Sequence, residues 1–169
     1  TKYAKLVEAS SIYDELEHAY NISMSGRKGP VWLDIPFDVQ SKMVPAQIWK
    51  PLPITRISPS ESDMEKVITL INNAKYPVIL AGHGIKLSNS TELFKSRVES
   101  LNIPFLLTWS AIDLIDHNNP LFFGSPGVYG QRSANFIFQK CDLLITIGTR
   151  LTIPQTGYDF KEVARNATI

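Results

Sequence analysis

Two short glycine-containing segments, each at the end of an apolar run, have residue types that could hold a nucleotide. Gly82–Gly84 (GHG) follows the apolar run 78–81, and Gly148–Arg150 (GTR) follows the run 142–147. Glycine lets a backbone come close to a phosphate or a flat ring, and arginine can contact a phosphate through two parallel hydrogen bonds. The G-x-G pattern lacks the third glycine of the dinucleotide fingerprint, so a tight turn between a strand and a helix is an equal alternative.

The other candidate residues near these segments each have a structural alternative to a functional role. His83 could titrate near neutral pH, but no carboxylate or nucleophile stands at a fixed spacing from it, and we predict no catalytic residue. Trp109 is either a stacking surface or a cover of the core. Arg150 is either a phosphate ligand or the partner of a surface carboxylate. No histidine or cysteine cluster has metal-ligand spacing, so no metal site is predicted.

A parallel sheet would bring these residues to one edge. Short apolar runs predict strands, and helical periodicity predicts the helices between them. The strands are expected at about 78–81, 104–108 and 142–147, and the helices at about 60–74, 91–101 and 131–140. Apolar strands that alternate with helices are typical of an α/β domain with a doubly wound parallel sheet and helices on both faces. The carboxyl ends of such strands share one edge, where helix N-termini meet ligands.

The first two of these helices have apolar sides, and the first has two candidate N-terminal caps. Both Ser60–Asp63 and Ser62–Glu65 fit the capping-box pattern. The apolar side of the first helix is formed by Met64, Val67, Ile68 and Ile71, and the residues predicted to face inward in the second are Leu93, Phe94, Val98 and Leu101.

The N-terminal part of the chain predicts a piece of another domain. A helix is expected over about 10–25 and a strand over 31–35, and this pair alone would leave a sheet face and an edge bare. Four prolines then occur in a segment without a sustained period, which indicates an extended linker. We therefore divide the chain into a partial first domain (1–40), a linker (41–59) and a second α/β domain (60–169).

The composition is that of a soluble globular protein and excludes several partners. The chain has 169 residues, 44% of them hydrophobic, and a formal net charge of +1. A nearly neutral chain without a long apolar run predicts neither nucleic-acid nor membrane binding. The single cysteine, Cys141, and the lack of an apolar signal region predict a cytoplasmic protein. The chain lacks an initiator Met and stops at Ile169 where a β-type run starts, so we expect a piece of a longer polypeptide.

Four motifs in this order resemble a known family. They are Gly26–Gln40 (GRKGPVWLDIPFDVQ), Ala74–Gly84 (AKYPVILAGHG), Gly127–Asn135 (GVYGQRSAN) and Cys141–Arg150 (CDLLITIGTR). The first is similar to the end of the pyrimidine-binding domain of thiamine-diphosphate enzymes of the acetolactate synthase type. The others are similar to segments of the central domain of these enzymes. The resemblance covers nearly the whole chain.

The resemblance implies a function for the parent protein and a supporting role for this chain. The parent would decarboxylate a 2-oxo acid such as pyruvate and join the resulting carbanion to a second carbonyl, with thiamine diphosphate and Mg²⁺. The family's glutamate that activates the cofactor and its G-D-G…N segment that holds the diphosphate are not in this sequence. The chain alone is therefore expected to be inactive. Relatives form homodimers or homotetramers, because their catalytic sites form between two chains.

The resemblance also implies a flavin site in the second domain. In acetolactate synthases the central domain binds FAD, which transfers no electrons in the main reaction, whereas several decarboxylases and lyases of the superfamily have an empty or altered site. Leu151–Tyr158 stands here in place of the acidic, arginine-containing stretch of flavin-binding relatives. The residues that the resemblance assigns to the flavin site are Gly82, His83, Gly84, Thr108, Trp109, Gly124, Gly127, Gly148, Thr149 and Arg150.

A second hypothesis is a stand-alone NAD- or FAD-binding module without catalytic activity. The linker and the helix–strand pair at the N-terminus argue against it, because an independent module has no use for them.

Overall fold

The computed structural model describes residues 1–48 and 58–169, and its contacts divide the chain into two compact units, Thr1–Ser58 and Pro59–Ile169. Part of the predicted linker, residues 49–57, lies outside the described residues. The described part of it from residue 42 to residue 48 forms neither helix nor strand.

The first unit is a small α/β assembly around a parallel strand pair. Its elements are β1 (Tyr3–Leu6), α1 (Ile12–Met24), β2 (Val31–Asp34) and α2 (Phe37–Gln40), with a 3-10 turn at Ala9–Ser11. β1 and β2 pair with Tyr3 opposite Val31, and α1 is the connection between them. The predicted helix–strand pair was therefore incomplete. The sequence did not predict β1, because it has only four residues and includes a lysine.

The second unit contains a three-stranded parallel sheet in the order β4-β3-β5. Its strands are β3 (Pro77–Ala81), β4 (Phe105–Leu107) and β5 (Leu143–Ile147). Its helices are α3 (Glu61–Asn73), α4 (Gly84–Leu87), α5 (Thr91–Leu101), α6 (Arg132–Lys140) and α7 (Ile153–Thr156), with 3-10 turns at Trp109–Ala111 and Phe160–Glu162. Beyond these elements, Thr168 forms a parallel bridge with Leu143 of β5.

Both faces of this sheet are covered, which confirms the predicted fold class. Side chains alternate along each strand, so Ile79 packs on one face and Leu80 on the other. The face of Ile79 packs against α5 through Phe94 and Val98. The opposite face packs against α6 through residues that include Phe138.

Two helices are less buried than their sequence patterns predicted. On α5, Phe94 and Val98 are buried as expected, but Leu93 and Leu101 are 59% and 48% exposed, so their inward placement was wrong. The apolar side of α3 is not a buried face, because no α3 residue is buried and only Ile71 packs against the core. The exposed members of that side are Met64, Val67 and Ile68. In each helix only part of the apolar side packs against the core. The remaining apolar residues stay in contact with solvent.

The start of α3 distinguishes the two candidate caps. Ser60 is the N-cap, and its Oγ accepts a hydrogen bond from the backbone N–H of Asp63. The Ser60 hydroxyl also donates to the Asp63 carboxylate at 2.6 Å. Ser62 lies inside the helix, so the second capping box was wrong.

Candidate functional site

The parallel register brings three of the predicted loops to one edge of the sheet. Ala81 of β3 lies opposite Leu107 of β4 and Ile147 of β5. The residues that follow these positions, Gly82, Thr108 and Gly148, therefore leave the sheet at its carboxyl edge. This is the edge at which α/β proteins usually bind ligands.

The glycines after β3 and β5 pack against each other. The backbone N–H of Gly82 donates to the Ile147 carbonyl, and that of Gly84 donates to the Gly148 carbonyl, both at 2.8 Å. A Cβ added to Gly82 would lie 2.4 Å from the Gly148 oxygen, and one added to Gly84 would lie 2.7 Å from the Gly148 Cα. The close approach of two backbone segments thus accounts for these glycines, and the amides of Gly82 and Gly84 are used within the protein.

The segment after β5 leaves an arginine side chain open to solvent. Gly148 has a φ of +64°, which favours glycine. The Thr149 hydroxyl accepts a hydrogen bond from the backbone N–H of Leu151 at 3.3 Å. Arg150 is exposed and forms no ion pair with any residue in the ranges that the structure describes. Its guanidinium could therefore contact an anionic ligand at this edge.

His83 connects the loop after β3 to the loop after β4. Its Nδ1–H donates to the backbone carbonyl of Ser110 at 2.9 Å. In the next turn Lys86 forms an ion pair with Asp113, and this contact lowers the pKa of the Asp113 carboxyl. These contacts fasten α4 to residues 109–113 and give His83 a positioning role.

Two exposed aromatic rings lie together at the carboxyl edge. Thr108 is buried and its N–H donates to the Ala81 carbonyl at 2.9 Å, which fixes the start of the loop after β4. The adjacent Trp109 is exposed, and its ring centroid lies 5.4 Å from that of Tyr129. The two rings form a surface on which a flat ligand could stack. Tyr129 was not among the predicted site residues.

The glycine loop 124–130 is held by two side chains of the neighbouring α6 segment. Gln131 Oε1 accepts the N–H of Ser125, and Asn135 Oδ1 accepts the N–H of Gly127, both at 2.7 Å. Gly127 has a φ of +125°, and a Cβ there would lie 2.2 Å from the Pro154 oxygen at α7. Gly124 also has a positive φ, of +104°. The sequence did not predict Gln131 and Asn135 as loop-holding residues, because side-chain contacts to a nearby backbone leave no periodic signal.

The loop also contains a buried polar atom without a partner. Among the described residues, Ser125 Oγ is the one buried side-chain oxygen or nitrogen that makes no hydrogen bond. The structure therefore provides an unused donor, a stacking pair and a free guanidinium at or beside the predicted loops. A groove of about 310 Å³ between α5 and the end of β5 touches Gly84 and Gly148.

The part of the chain that the structure describes offers no metal centre and no membrane span. Within it, no three His, Cys, Asp or Glu side chains come together as a metal ion would require. None of the described helices combines the length and the apolar character needed to cross a membrane.

Comparison with known proteins leads to the same family as the motifs. The chain is 37% identical over 162 residues to a probable acetolactate synthase large subunit of Methanococcus aeolicus, covering 89% of the chain and 26% of that protein. It is 34% identical over 137 residues to the acetolactate synthase isozyme 1 large subunit of Escherichia coli (strain K12), covering 80% and 24%. It is 29% identical over 153 residues to a glyoxylate carboligase of Escherichia coli O157:H7, covering 89% and 26%.

The chain thus spans about a quarter of the length of these curated relatives. Its residues 64–169 match the family model described as "Thiamine pyrophosphate enzyme, central domain". This range contains both sheet faces and all the loops of the carboxyl edge described above. The chain therefore belongs to the thiamine pyrophosphate enzyme family, similar to acetolactate synthases, and carries that family's central domain.

Proposed function

We propose that this chain is the supporting middle part of a thiamine-diphosphate enzyme that decarboxylates a 2-oxo acid and joins the resulting carbanion to a second carbonyl. The observation that carries the proposal is the match of residues 64–169 to the central domain, together with relatives named as acetolactate synthases and a glyoxylate carboligase. Residues 1–40 are proposed as the end of the pyrimidine-binding domain, residues 41–59 as the linker and residues 60–169 as the central domain. The whole protein is proposed to act in the cytoplasm as a homodimer or homotetramer.

Within residues 1–48 and 58–169 no cluster of acidic side chains fits a thiamine-diphosphate and Mg²⁺ site. The cofactor, when bound, stabilises the carbanion, and a protein must supply oxygen ligands for the metal ion that holds its diphosphate. The described residues contain no acidic cluster of that kind. We therefore assign no catalytic step to this chain. Its proposed contribution is to hold and space the segments that carry the chemistry.

The carboxyl edge of the second unit is proposed to hold FAD as a structural group. The fit rests on three features of this edge: the open Arg150 guanidinium, the Trp109–Tyr129 ring pair and the unpartnered Ser125 hydroxyl. Arginine would contact the pyrophosphate, and the ring pair would stack on a flat ring of the ligand. The internal hydrogen bonds of Gly82 and Gly84 mean that their amides would not bind the phosphates.

One preparation of the purified chain tests both parts of the proposal. With pyruvate, thiamine diphosphate and Mg²⁺ we expect no turnover, and with FAD we expect a higher melting temperature and a change in flavin fluorescence. A ligand at 100 times its Kd stabilises the folded state by about 2.7 kcal/mol. Measurable pyruvate turnover would overturn the supporting role. An unchanged melting temperature at high micromolar FAD would overturn the flavin assignment.

A pair of arginine variants locates the proposed flavin. Arg150→Gln should weaken FAD binding about tenfold, because one charged contact to phosphate is lost, and a tenfold change corresponds to 1.4 kcal/mol. Arg165→Gln is the matched control, since Arg165 pairs with Glu162 and lies near the start of β5, away from the carboxyl edge. Equal weakening by both variants would contradict the assigned position.

The relatives favour this proposal over a stand-alone nucleotide-binding module. The alignment to the Methanococcus aeolicus protein covers 89% of the chain and so includes part of the first unit. Mass spectrometry of the natural protein separates the two hypotheses. A mature chain of several hundred residues supports the enzyme, and one that ends near Ile169 supports the module.

A further inference from the structure

A cleft of about 650 Å³ opens at the amino edge of the sheet in the second unit. It lies at the starts of β3 and β4, where Pro77 begins one strand and Pro104 precedes the other. The proposed flavin position is at the opposite, carboxyl edge. None of the residues that the resemblance assigns to the flavin site lines the cleft.

The interior of the cleft is apolar. Val78 and Cys141 are buried and form part of its lining, with Ile137 of α6 beside them. At its mouth are the exposed rings of Tyr76 and Phe136, and the Phe136 side chain is 63% exposed. Pockets that enclose small organic ligands have volumes of about 300 to 1,000 Å³ and mostly apolar and aromatic walls. The volume and lining of this cleft fall within that range, with room for a flat aromatic ligand.

The mouth of the cleft carries two lysine side chains that form no ion pair with a described residue. Lys75 and Lys140 both line it, and neither forms an ion pair within residues 1–48 and 58–169. The Lys140 ammonium lies 5.9 Å from the centre of the Phe136 ring, so a positive charge and an aromatic surface are close together in the lining. Asn102, which ends α5, adds an amide to the same lining.

The one carboxylate bonded to the lining, that of Asp142, is held by backbone amides and leaves both ammonium groups unpaired among the described residues. The Asp142 carboxylate accepts the backbone N–H groups of Lys75 and Tyr76 at 2.7 and 2.9 Å, and these bonds lower its pKa. Its oxygens are therefore engaged by amides and not by an ammonium group. The Cys141 thiol donates to the Phe138 carbonyl at 3.3 Å, and burial raises its pKa, so the inner wall carries no negative charge.

We propose that this cleft binds an aromatic carboxylate, with its ring against Phe136 and Pro104 and its carboxylate beside Lys75 and Lys140. Apolar walls alone would accept any flat hydrophobic molecule. The two unpaired ammonium groups at the mouth select an anion. A carboxylate bound there is attracted by both of them at the boundary of an apolar surface. The proposal concerns the second unit only and does not depend on the proposed function.

Calorimetric titration with 2-naphthoate, a flat aromatic carboxylate, tests the proposal on the full 169-residue chain. We expect 2-naphthoate to bind with a micromolar Kd, and the neutral 2-naphthamide about tenfold more weakly, since only the carboxylate pairs with the lysines. Raising the salt concentration should weaken 2-naphthoate and leave 2-naphthamide unchanged. Equal affinity for the two compounds, or no binding of either, would overturn the proposal.

Two pairs of variants locate the site. Phe136→Ala and Lys140→Gln should each weaken 2-naphthoate five- to tenfold, and only Phe136→Ala should also weaken 2-naphthamide. Phe160→Ala and Lys161→Gln are matched controls. These two residues are also an exposed phenylalanine and an exposed lysine, they are consecutive in the sequence, and neither lines the cleft. All four side chains are exposed, so the variants should retain the wild-type circular dichroism spectrum. Binding that the cleft variants leave unchanged would place the ligand elsewhere and contradict the proposal. Added FAD should not compete with 2-naphthoate.

Discussion

Gly82, Gly84 and Gly148 meet where the chain leaves β3 and β5, and their contacts explain why side chains are absent there. Each added Cβ would fall within 3.0 Å of backbone atoms, which cannot move aside as a flexible side chain can. The two internal hydrogen bonds of 2.8 Å hold the segments in this contact. The close packing of two segments of the same chain thus accounts for the glycines without a ligand, while Arg150 and the Trp109–Tyr129 ring pair remain available to one.

Gly148→Ala should destabilise the second unit more than Gly157→Ala. Both glycines have positive φ values, of +64° and +75°, but only Gly148 has backbone atoms within 3.0 Å of an added Cβ. The strained backbone costs both variants about 1 to 3 kcal/mol. Overpacking costs Gly148→Ala about 1 to 3 kcal/mol more. Urea unfolding monitored by circular dichroism measures the difference. Equal losses in the two variants would show that crowding at Gly148 is unimportant.

At the scale of the element, α3 combines a well-formed start with little packing. Its N-cap is satisfied by Ser60, yet none of its thirteen residues is buried. Most helical stability in proteins comes from packing of the apolar face, which α3 has only at Ile71 within the described residues. The cap therefore contributes a larger share of the stability of α3 than it would in a packed helix.

Ser60→Ala should loosen α3 without lowering the stability of the sheet. Loss of an N-cap costs about 0.5 to 2 kcal/mol, and in a helix this exposed the loss should appear as local opening. Hydrogen exchange over residues 61–73 should become faster by roughly two- to thirtyfold, while exchange in β3 stays unchanged. Ser62→Ala is the control, because Ser62 lies inside the helix and caps nothing. A slower or unchanged exchange of α3 in Ser60→Ala would contradict the role of the cap.

The elements that the sequence predicted well are those with strong local patterns. The runs PVILA and LLITI are long and apolar, and α6 has a clear amphipathic period, so the parallel α/β unit followed from them. β1 could not be found in this way, because a strand of four residues with one intermediate and three exposed positions carries no alternation. The side chain of Leu93 was misplaced because a helical period shows which face of a helix is apolar but not how much of that face the rest of the protein covers.

The candidate site was predictable in position but not in contacts. Adjacent parallel strands bring Gly82, Thr108 and Gly148 to one edge, and this followed from the order of the elements. The mutual packing of the glycines could not be foreseen, since it depends on residues more than sixty positions apart. The flavin assignment of these residues stays a prediction, for which the FAD titration is the test.

At the scale of the whole molecule, the two units differ in the size of their cores. Among the described residues of the first unit, the buried hydrophobic side chains are Val7 and Ala19, whereas the second unit buries both faces of its sheet. A pair of strands with so little buried apolar surface is marginally stable in water. The first unit should therefore depend on further packing more than the second.

Hydrogen exchange should show the first unit opening before the second. Amides of β1 and β2 are expected to exchange at least a hundredfold faster than those of β3 and β5, because few apolar contacts oppose their opening. Mass spectrometry of proteolytic fragments from the two units measures this directly in one sample. Equal protection of the two strand sets would contradict the division into a weak and a strong unit.

The single cysteine makes the opening of the second unit measurable by chemical labelling. Cys141 is buried under α6, and its thiol has no counterpart elsewhere in the sequence to compete for a reagent. Because alkylation by a maleimide dye requires this thiol to become exposed, the rate of dye uptake measures the opening of the second unit alone.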